Sequence, residues 1–297
     1  MFFARTKDSA RYLATTKDAQ RRRLLLCLFS AVFTLGTLFT TIGPNARPAL
    51  AAAVGPNLAA NALADRHFIS NDIYGMNYWY PQIDPSLAQE LKFPVIRWGG
   101  NATSRYNWMV DSSNSGSDWY FMGGNGQATV TPGASSDAFV TTNKANSSKS
   151  IITIPMVPYI NKTSATNCSY PSSLYPNQQS WNPYNTLPDG SKCGNGKDPS
   201  GNAILDTNIL LNNIPNSPAF QKTWVQHLVR THGPALLGGV QLYDLDNEPA
   251  LWQYTHHDIH PNPTGYDELV NLSKSYASMI KSVDPTSKVM GPSDWGW

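Results

Sequence analysis

Two polar side chains, Asn247 and Glu248, follow an apolar stretch and precede a proline. The stretch 238–245 joins a glycine pair to aliphatic and aromatic residues, which predicts a buried strand. Pro249 cannot donate a ladder hydrogen bond, so the strand is predicted to end before it. A carboxyl group at that end, kept protonated by apolar neighbours such as Trp252, could act as a general acid. The alternative is a solvated turn carboxylate or one half of an ion pair.

Apolar runs and helical patterns alternate along the chain, and they define the elements that must position this carboxyl group. The predicted strands are residues 73–79, 93–98, 150–157, 238–248 and 288–294. The predicted helices are residues 85–92, 135–149, 217–232 and 264–283, the last with Thr264 as its cap and Asp267 in the capping-box position. This alternation predicts an α/β fold with a parallel sheet and right-handed crossovers. Five strands fall short of the eight in a (β/α)8 TIM-type barrel, so the sequence predicts an incomplete barrel.

The N-terminal segment differs in composition from the rest of the chain. Residues 1–51 contain eight Lys or Arg and two acidic residues, whereas the remainder has 14 basic and 18 acidic residues. This negative balance argues against nucleic-acid binding, which needs a concentrated basic face. The basic run 21–23, the apolar run 24–42 and the small residues 49–51 predict a secretory signal peptide cleaved before Ala52. The apolar run is about 20 residues long, so an uncleaved membrane anchor is the alternative.

Cysteine usage supports an exported chain. Cys27 lies in the apolar signal region, which leaves Cys168 and Cys193 as a pair. An even pair in an exported protein predicts a disulfide, with two free thiols as the alternative. The predicted organisation is a signal peptide at 1–51, a linker at 52–64 and a partial barrel at 65–297.

Aromatic and histidine residues gather near the predicted strand ends. The candidate sugar-stacking residues are Tyr78, Trp79, Trp98, Trp108 and Trp252. Each of these rings could equally belong to the core. The dense group His256, His257, Asp258 and His260 has ligand types that suit zinc, but unligated histidines in a loop explain it as well. No Gly-x-Gly-x-x-Gly or Walker sequence is present, so the nucleotide-binding members of this fold class lack support.

Several stretches together resemble glycoside hydrolase family 44, a family of secreted bacterial endo-β-glucanases. The matching stretches are residues 71–77, 95–108, 246–252, 260–261, 266–267 and 291–292. The runs 95–108 and 246–252 are long, which makes the resemblance specific. It implies a (β/α)8 barrel joined to a small β-sandwich, with the sandwich absent from this chain. It also implies a retaining enzyme that acts on cellulose and often on xyloglucan or related β-1,4-glucans.

The resemblance assigns roles to three residues. Glu248 would be the acid/base and Asn247 would bind the sugar 2-hydroxyl. Arg97, at the end of the second strand, would hydrogen-bond the nucleophile and keep it ionised; an ion pair with Asp244 or Asp246 is the alternative. The family's nucleophile is a Glu at the end of strand seven, and a retaining mechanism places it roughly 5–5.5 Å from the acid. That motif is absent from these 297 residues.

The sequence therefore predicts a secreted, monomeric endo-β-1,4-glucanase whose partner is a β-glucan and which needs no cofactor. This chain is expected to be inactive because it lacks the nucleophile. The resemblance implies a structural calcium or zinc ion in some members, and no ligands for either ion map onto this chain. Two alternatives remain open: a non-catalytic carbohydrate-binding protein that uses the aromatic loops, and a metal-dependent hydrolase that uses the group at 256–260.

Overall fold

The computed structural model describes residues 61–77, 85–127 and 129–295. The chain divides into two units, Met1–His67 and Phe68–Trp297, and the elements of the fold belong to the second. The predicted signal peptide lies outside the described residues, as does most of the predicted linker. Within the described residues, no helix combines the length and the apolar character needed to cross a membrane.

Five parallel strands form a sheet in which the spatial order follows the order in the sequence. They are β1 (Met76–Asn77), β2 (Val95–Trp98), β3 (Lys149–Ile154), β4 (Leu242–Leu245) and β5 (Lys288–Met290). Residues 150–154 of β3 are all buried, as expected for a central strand that is covered on both faces. These observations confirm the predicted α/β class with a parallel sheet.

Among the described residues, four helices of seven residues or more accompany the sheet. They are α1 (Pro85–Leu91), α2 (Ala134–Ala145), α3 (Pro218–His232) and α4 (Tyr266–Val283). Ser217 caps α3, because its hydroxyl accepts a hydrogen bond from the Phe220 N–H at 3.2 Å. The predicted cap of α4 is wrong, since Gly265 occupies the cap position. The Thr264 hydroxyl instead donates to the carbonyl of Pro249 at 2.6 Å and so ties the start of α4 to the loop after β4.

The hydrophobic core joins the sheet to three of these helices. Ile152 of β3 contributes to one cluster with Phe139 of α2, Trp224 of α3 and Ile280 of α4. Each of these four side chains is fully buried. Burying one large apolar side chain stabilises a fold by about 1.5–3 kcal/mol, so this cluster anchors the helices to the sheet.

The segments after β2 and β3 form three antiparallel ribbons. These pair Met122–Gly123 with Asn167–Cys168, Tyr159–Asn161 with Asn213–Pro215, and Trp181–Thr186 with Lys192–Gly194. The predicted disulfide between Cys168 and Cys193 is present and joins the first ribbon to the third. Closing a loop of 25 residues in this way stabilises the fold by about 3–4 kcal/mol in the chain-entropy model.

Short helical turns complete the connections between these elements. The 3-10 turns are Asn71–Tyr74, Asn101–Arg105, Gly116–Trp119, Ala235–Leu237 and Pro249–Leu251. Two short α-helical turns are Ile209–Asn212 and Trp252–Thr255. Three of the 3-10 turns follow the ends of β2 and β4, where the candidate site residues lie.

Candidate active site

Glu248 lies at the carboxyl end of β4, in the short link to the turn Pro249–Leu251. The strand ends earlier than predicted, because Asp246 and Glu248 both have positive φ values, of 67° and 47°. Residues other than glycine rarely adopt this left-handed conformation, and the surrounding contacts must hold it in place. One such contact is the Glu248 N–H, which donates to the carbonyl of Ser293 at 2.8 Å. The side chain of Glu248 is therefore presented, partly buried, at the edge of the sheet.

Asp246 holds this link to the loop after β3. Its buried carboxylate accepts hydrogen bonds from the backbone N–H groups of Asn247 at 2.7 Å, of Val157 at 3.0 Å and of Met156. Burial raises the pKa of Asp246 to about 6, although the backbone donors act in the opposite direction. The three contacts use both carboxylate oxygens, so Asp246 serves as a support for the site.

Arg97 extends from β2 towards the ends of β1 and β4. Its Nε donates to Asp244 at 2.8 Å, its Nη2 to Asn247 Oδ1 at 3.1 Å and its Nη1 to Asn77 Oδ1 at 3.3 Å. The Asp244 carboxylate is buried and also accepts from the Ser293 hydroxyl at 2.7 Å. Burial raises the pKa of Asp244, and the positive charge of Arg97 opposes that shift. Of the two roles expected for Arg97, the structure contains the ion pair with Asp244.

The amide of Asn247 links this ion pair to the candidate acid. Its oxygen accepts from Arg97, while its nitrogen donates to Glu248 Oε2 at 3.2 Å and to Asn101 Oδ1 at 3.1 Å. The Trp252 indole N–H also donates to the Asn247 carbonyl at 3.1 Å. These contacts and the hydrogen bond to Asp246 fix the position of Asn247, and its amide lies beside the Glu248 carboxylate. Its recognition of a sugar 2-hydroxyl stays a prediction.

A glycine allows the end of β5 to lie close to this network. Gly291 follows β5 with a φ of 93°, and a side chain there would collide with the Asp244 carboxylate. Both constraints require glycine, so the end of β5 can approach β4 closely. This approach lets Ser293 contact both Asp244 and the Glu248 backbone.

Asn101 also lines a cavity of about 300 Å³. Its lining includes Gly100, Ser115, Asp118 and Trp119. Asn101 Nδ2 donates to both carboxylate oxygens of Asp118 at 2.9 Å, so the lining is connected to Asn247 and Glu248. The site predicted from the sequence does not include these residues. The aromatic residues between β2 and α2 are a sequence signal that could have identified them.

The structure corrects the expected stacking role of three tryptophans. Trp98, Trp108 and Trp252 are only 6%, 7% and 0% exposed, so none of them offers a free face to a sugar. Trp98 packs edge-on against Tyr106 and Phe139 in the core. Trp252 supports the site indirectly, through its hydrogen bond to the Asn247 backbone.

The remaining two stacking candidates, Tyr78 and Trp79, lie outside the described residues. Their role at the site stays a prediction.

The group at 256–260 is a buried polar cluster. Asp258 makes two hydrogen bonds with the buried guanidinium of Arg105, at 3.0 and 3.1 Å. One ring nitrogen of His260 pairs with Glu268 at 2.8 Å, and both ring nitrogens of His257 contact backbone carbonyls. Among the described residues, no group of three or more His, Cys, Asp or Glu side chains is arranged to hold a metal ion. The contacts in this cluster are those of a packed loop.

His256 gives this cluster a pH dependence that can be measured. Burial, followed by the nearby charge of Arg105, lowers the pKa of His256 to about 3. In the unfolded chain, the imidazole of His256 binds a proton below about pH 6.5. In the folded chain, it stays neutral down to about pH 3. The neutral state of His256 therefore contributes fully to the free energy of unfolding above pH 6.5. This contribution is lost as the pH falls, and the loss is about 2 kcal/mol at pH 5.

Replacing His256 with leucine should remove this part of the pH dependence. Urea unfolding at pH 7 and pH 5 would show a smaller loss of unfolding free energy in the variant than in the wild type. The exposed His67 provides a control. The His67→Leu variant should lose as much unfolding free energy between pH 7 and pH 5 as the wild type does. An unchanged difference in His256→Leu would contradict the neutral, buried state of this imidazole.

The chain matches known proteins over most of its length. The sequence model of glycoside hydrolase family 44 matches residues 112–297. Endoglucanase A of Paenibacillus lautus is 31% identical in an alignment of 291 positions that covers 95% of this chain and 37% of that protein. The chain therefore spans little more than a third of the length of this relative.

Two solved structures resemble the fold. CelM2, a bifunctional glucanase-xylanase from a metagenome library, aligns with a TM-score of 0.71 and 36% identity, covering 78% of this chain and 44% of that one. A Paenibacillus polymyxa xyloglucanase of family 44, solved with xyloglucan, aligns with a TM-score of 0.52 and 28% identity. That alignment covers 77% of this chain and 42% of the xyloglucanase.

Proposed function

The chain belongs to glycoside hydrolase family 44, and we propose that it carries the acid/base half of a retaining endo-β-1,4-glucanase. The observation that carries this proposal is the position of Glu248 at the end of a parallel strand. Its carboxylate lies within hydrogen-bond reach of Asn247, which Arg97 in turn fixes. Catalytic groups of (β/α)8 enzymes lie at this end of the strands.

Glu248 acts in both steps of the proposed reaction. As an acid it donates its proton to the glycosidic oxygen while the bond to the anomeric carbon breaks. As a base it then removes a proton from the water that hydrolyses the glycosyl-enzyme. Asn247 orients the sugar through its 2-hydroxyl, and Arg97 keeps the amide of Asn247 in place.

The acids near Glu248 do not supply the nucleophile of the proposed reaction. Asp244 and Asp246 are the acids nearest to Glu248 in the sequence, and both are buried. Asp244 is engaged by Arg97 and Ser293, and Asp246 by three backbone N–H groups. Neither carboxylate is free to attack an anomeric carbon. We place the nucleophile on a strand beyond the five of this sheet, as the incomplete-barrel prediction requires.

The proposed substrate is a β-1,4-glucan such as cellulose or xyloglucan. Support comes from the names of the related proteins, an endoglucanase, a glucanase-xylanase and a xyloglucanase. The proposed setting is extracellular, with residues 1–51 acting as the signal peptide. The disulfide between Cys168 and Cys193 supports it, because disulfides persist in oxidising compartments.

Product stereochemistry provides a direct test of this function. We expect a protein that contains this chain within a complete eight-unit barrel to release sugars whose anomeric carbon keeps the β configuration, as proton NMR of early products would reveal. The 297-residue chain alone should release no reducing ends from carboxymethylcellulose, because it supplies only one of the two carboxylates. Early products with the α configuration would contradict the retaining mechanism.

A further inference from the structure

Two exposed aromatic side chains from separate loops stack on each other. The rings of Trp119 and Tyr184 are nearly parallel, with centroids 5.9 Å apart and an interplanar angle of 10°. Trp119 is 41% exposed and Tyr184 is 77% exposed. Large aromatic rings normally bury their faces, so a pair that remains exposed is a candidate binding surface. We call this pair the aromatic platform.

The disulfide holds both halves of the aromatic platform. Cys168 pairs across its ribbon with Met122, which lies three residues after Trp119. Cys193 lies in the strand that pairs with Trp181–Thr186, the strand that carries Tyr184. A single covalent bond thus joins the ribbon that carries Tyr184 to the ribbon that begins three residues after Trp119.

A second contact joins the same two ribbons without covalent chemistry. The buried amide of Asn182 donates to the sulfur of Met122. The Asn182 side-chain oxygen also accepts from the Tyr184 N–H at 3.0 Å, which fixes the backbone that carries the ring. The platform is therefore built into the fold and does not arise from two chance surface residues.

The aromatic platform is continuous with the candidate active site. Trp119 lines the cavity of about 300 Å³ together with Asn101 and Asp118. Asn101 accepts a hydrogen bond from Asn247, which contacts Glu248. The path from the acid to the platform thus combines amide and carboxylate groups, which suit sugar hydroxyls, with flat rings, which suit the apolar face of a pyranose.

We propose that Trp119 and Tyr184 form an accessory subsite that stacks on a β-1,4-glucan beyond the sugars next to Glu248, and that the Cys168–Cys193 disulfide holds this subsite together. The inference rests on the proposed function, since it assumes the same substrate class. The subsite makes binding depend on chain length, because a glucan that occupies it extends beyond the sugars next to Glu248. It also makes the affinity for long chains depend on the oxidised state of the two cysteines.

Calorimetric titration of the oxidised chain with cellohexaose and cellotriose would test the subsite. We expect Tyr184→Ala to weaken cellohexaose binding by about 3- to 10-fold, the scale of one aromatic contact. Cellotriose binding should be unchanged. Tyr184→Phe keeps the ring and should bind like the wild type, as should Tyr266→Ala, which removes another exposed tyrosine.

Reduction of the disulfide supplies a second measurement. The reduced chain should lose cellohexaose affinity to the same extent as Tyr184→Ala, and reduction of Tyr184→Ala itself should have no added effect. Near-UV circular dichroism checks that the core survives reduction. If the core is lost, the Tyr184→Ala comparison in the oxidised chain decides alone.

The outcomes separate the two proposals. Unchanged cellohexaose binding in Tyr184→Ala, with clear binding by the wild type, would overturn the accessory subsite alone. Failure of the wild type to bind either oligosaccharide would overturn the proposed β-glucan substrate, and the subsite with it. Equal losses of cellotriose and cellohexaose binding would show that Tyr184 acts on the whole cleft, which also overturns the subsite.

Discussion

Replacement of Glu248 by glutamine is expected to lower kcat on carboxymethylcellulose by about 10²- to 10⁴-fold in a protein that contains this chain within a complete family 44 barrel. Glutamine has nearly the same shape, but it cannot donate a proton to the leaving oxygen or accept one from water. The hydrogen bond from Asn247 Nδ2 to the side chain of residue 248 can persist, because the amide retains an oxygen. Binding of cello-oligosaccharides should therefore stay close to that of the wild type.

Steady-state kinetics together with titration of an oligosaccharide would separate these two effects. Glu90, an exposed carboxylate on α1, provides the matched control, and Glu90→Gln should leave kcat unchanged. A Glu248→Gln enzyme with wild-type turnover would remove Glu248 from the mechanism. Equal losses of turnover and of binding would instead assign Glu248 to substrate binding.

The sheet and the place of Glu248 could be predicted because both depend on local patterns. Strands of a parallel sheet are buried on both faces, so β2, β3 and β4 stand out as apolar runs. The proline after Glu248 marks the strand end to within a few residues. The early end of β4 could not be predicted, because the positive φ of Asp246 depends on backbone groups near Val157, far away in the sequence.

The aromatic residues show where sequence patterns stop being informative. Trp98 and Trp119 are both indoles near strand ends, but one is 6% exposed and the other 41%. The difference arises from Tyr106 and Phe139, which pack on Trp98 and come from other elements. Residue type reports what a side chain is able to do, whereas its tertiary neighbours decide which face remains free.

The polar network around Arg97 also depends on residues that are distant in the sequence. Its partners Asp244 and Asn247 lie 147 and 150 residues away in the sequence. The ion pair with Asp244 was one of two open alternatives, because nothing local distinguishes an arginine that holds a carboxylate of β4 from one that holds a nucleophile. The parallel register, which brings β2 and β4 to either side of β3, makes the contact.

Replacement of Asp258 by asparagine is expected to lower the free energy of unfolding by about 3–5 kcal/mol. Arg105 is fully buried, and its two terminal nitrogens donate to both oxygens of Asp258. Removing the carboxylate charge leaves a buried guanidinium without its counter-charge. Burial acts to raise the pKa of Asp258, but the Arg105 charge and the Ser169 hydroxyl outweigh it and hold the pKa below its usual range.

Urea denaturation at pH 7 would measure this loss, which corresponds to a fall in Tm of about 6–20 °C for a domain of this size. The exposed pair of Lys149 and Asp72 provides the control, because Asp72→Asn should cost no more than about 1 kcal/mol. The double replacement Arg105→Met with Asp258→Leu should recover most of the stability, since it removes both buried charges. A loss in Asp258→Asn as small as that in Asp72→Asn would mean that water reaches Arg105, and the buried ion pair would no longer explain how the loops after β2 and β4 are held together.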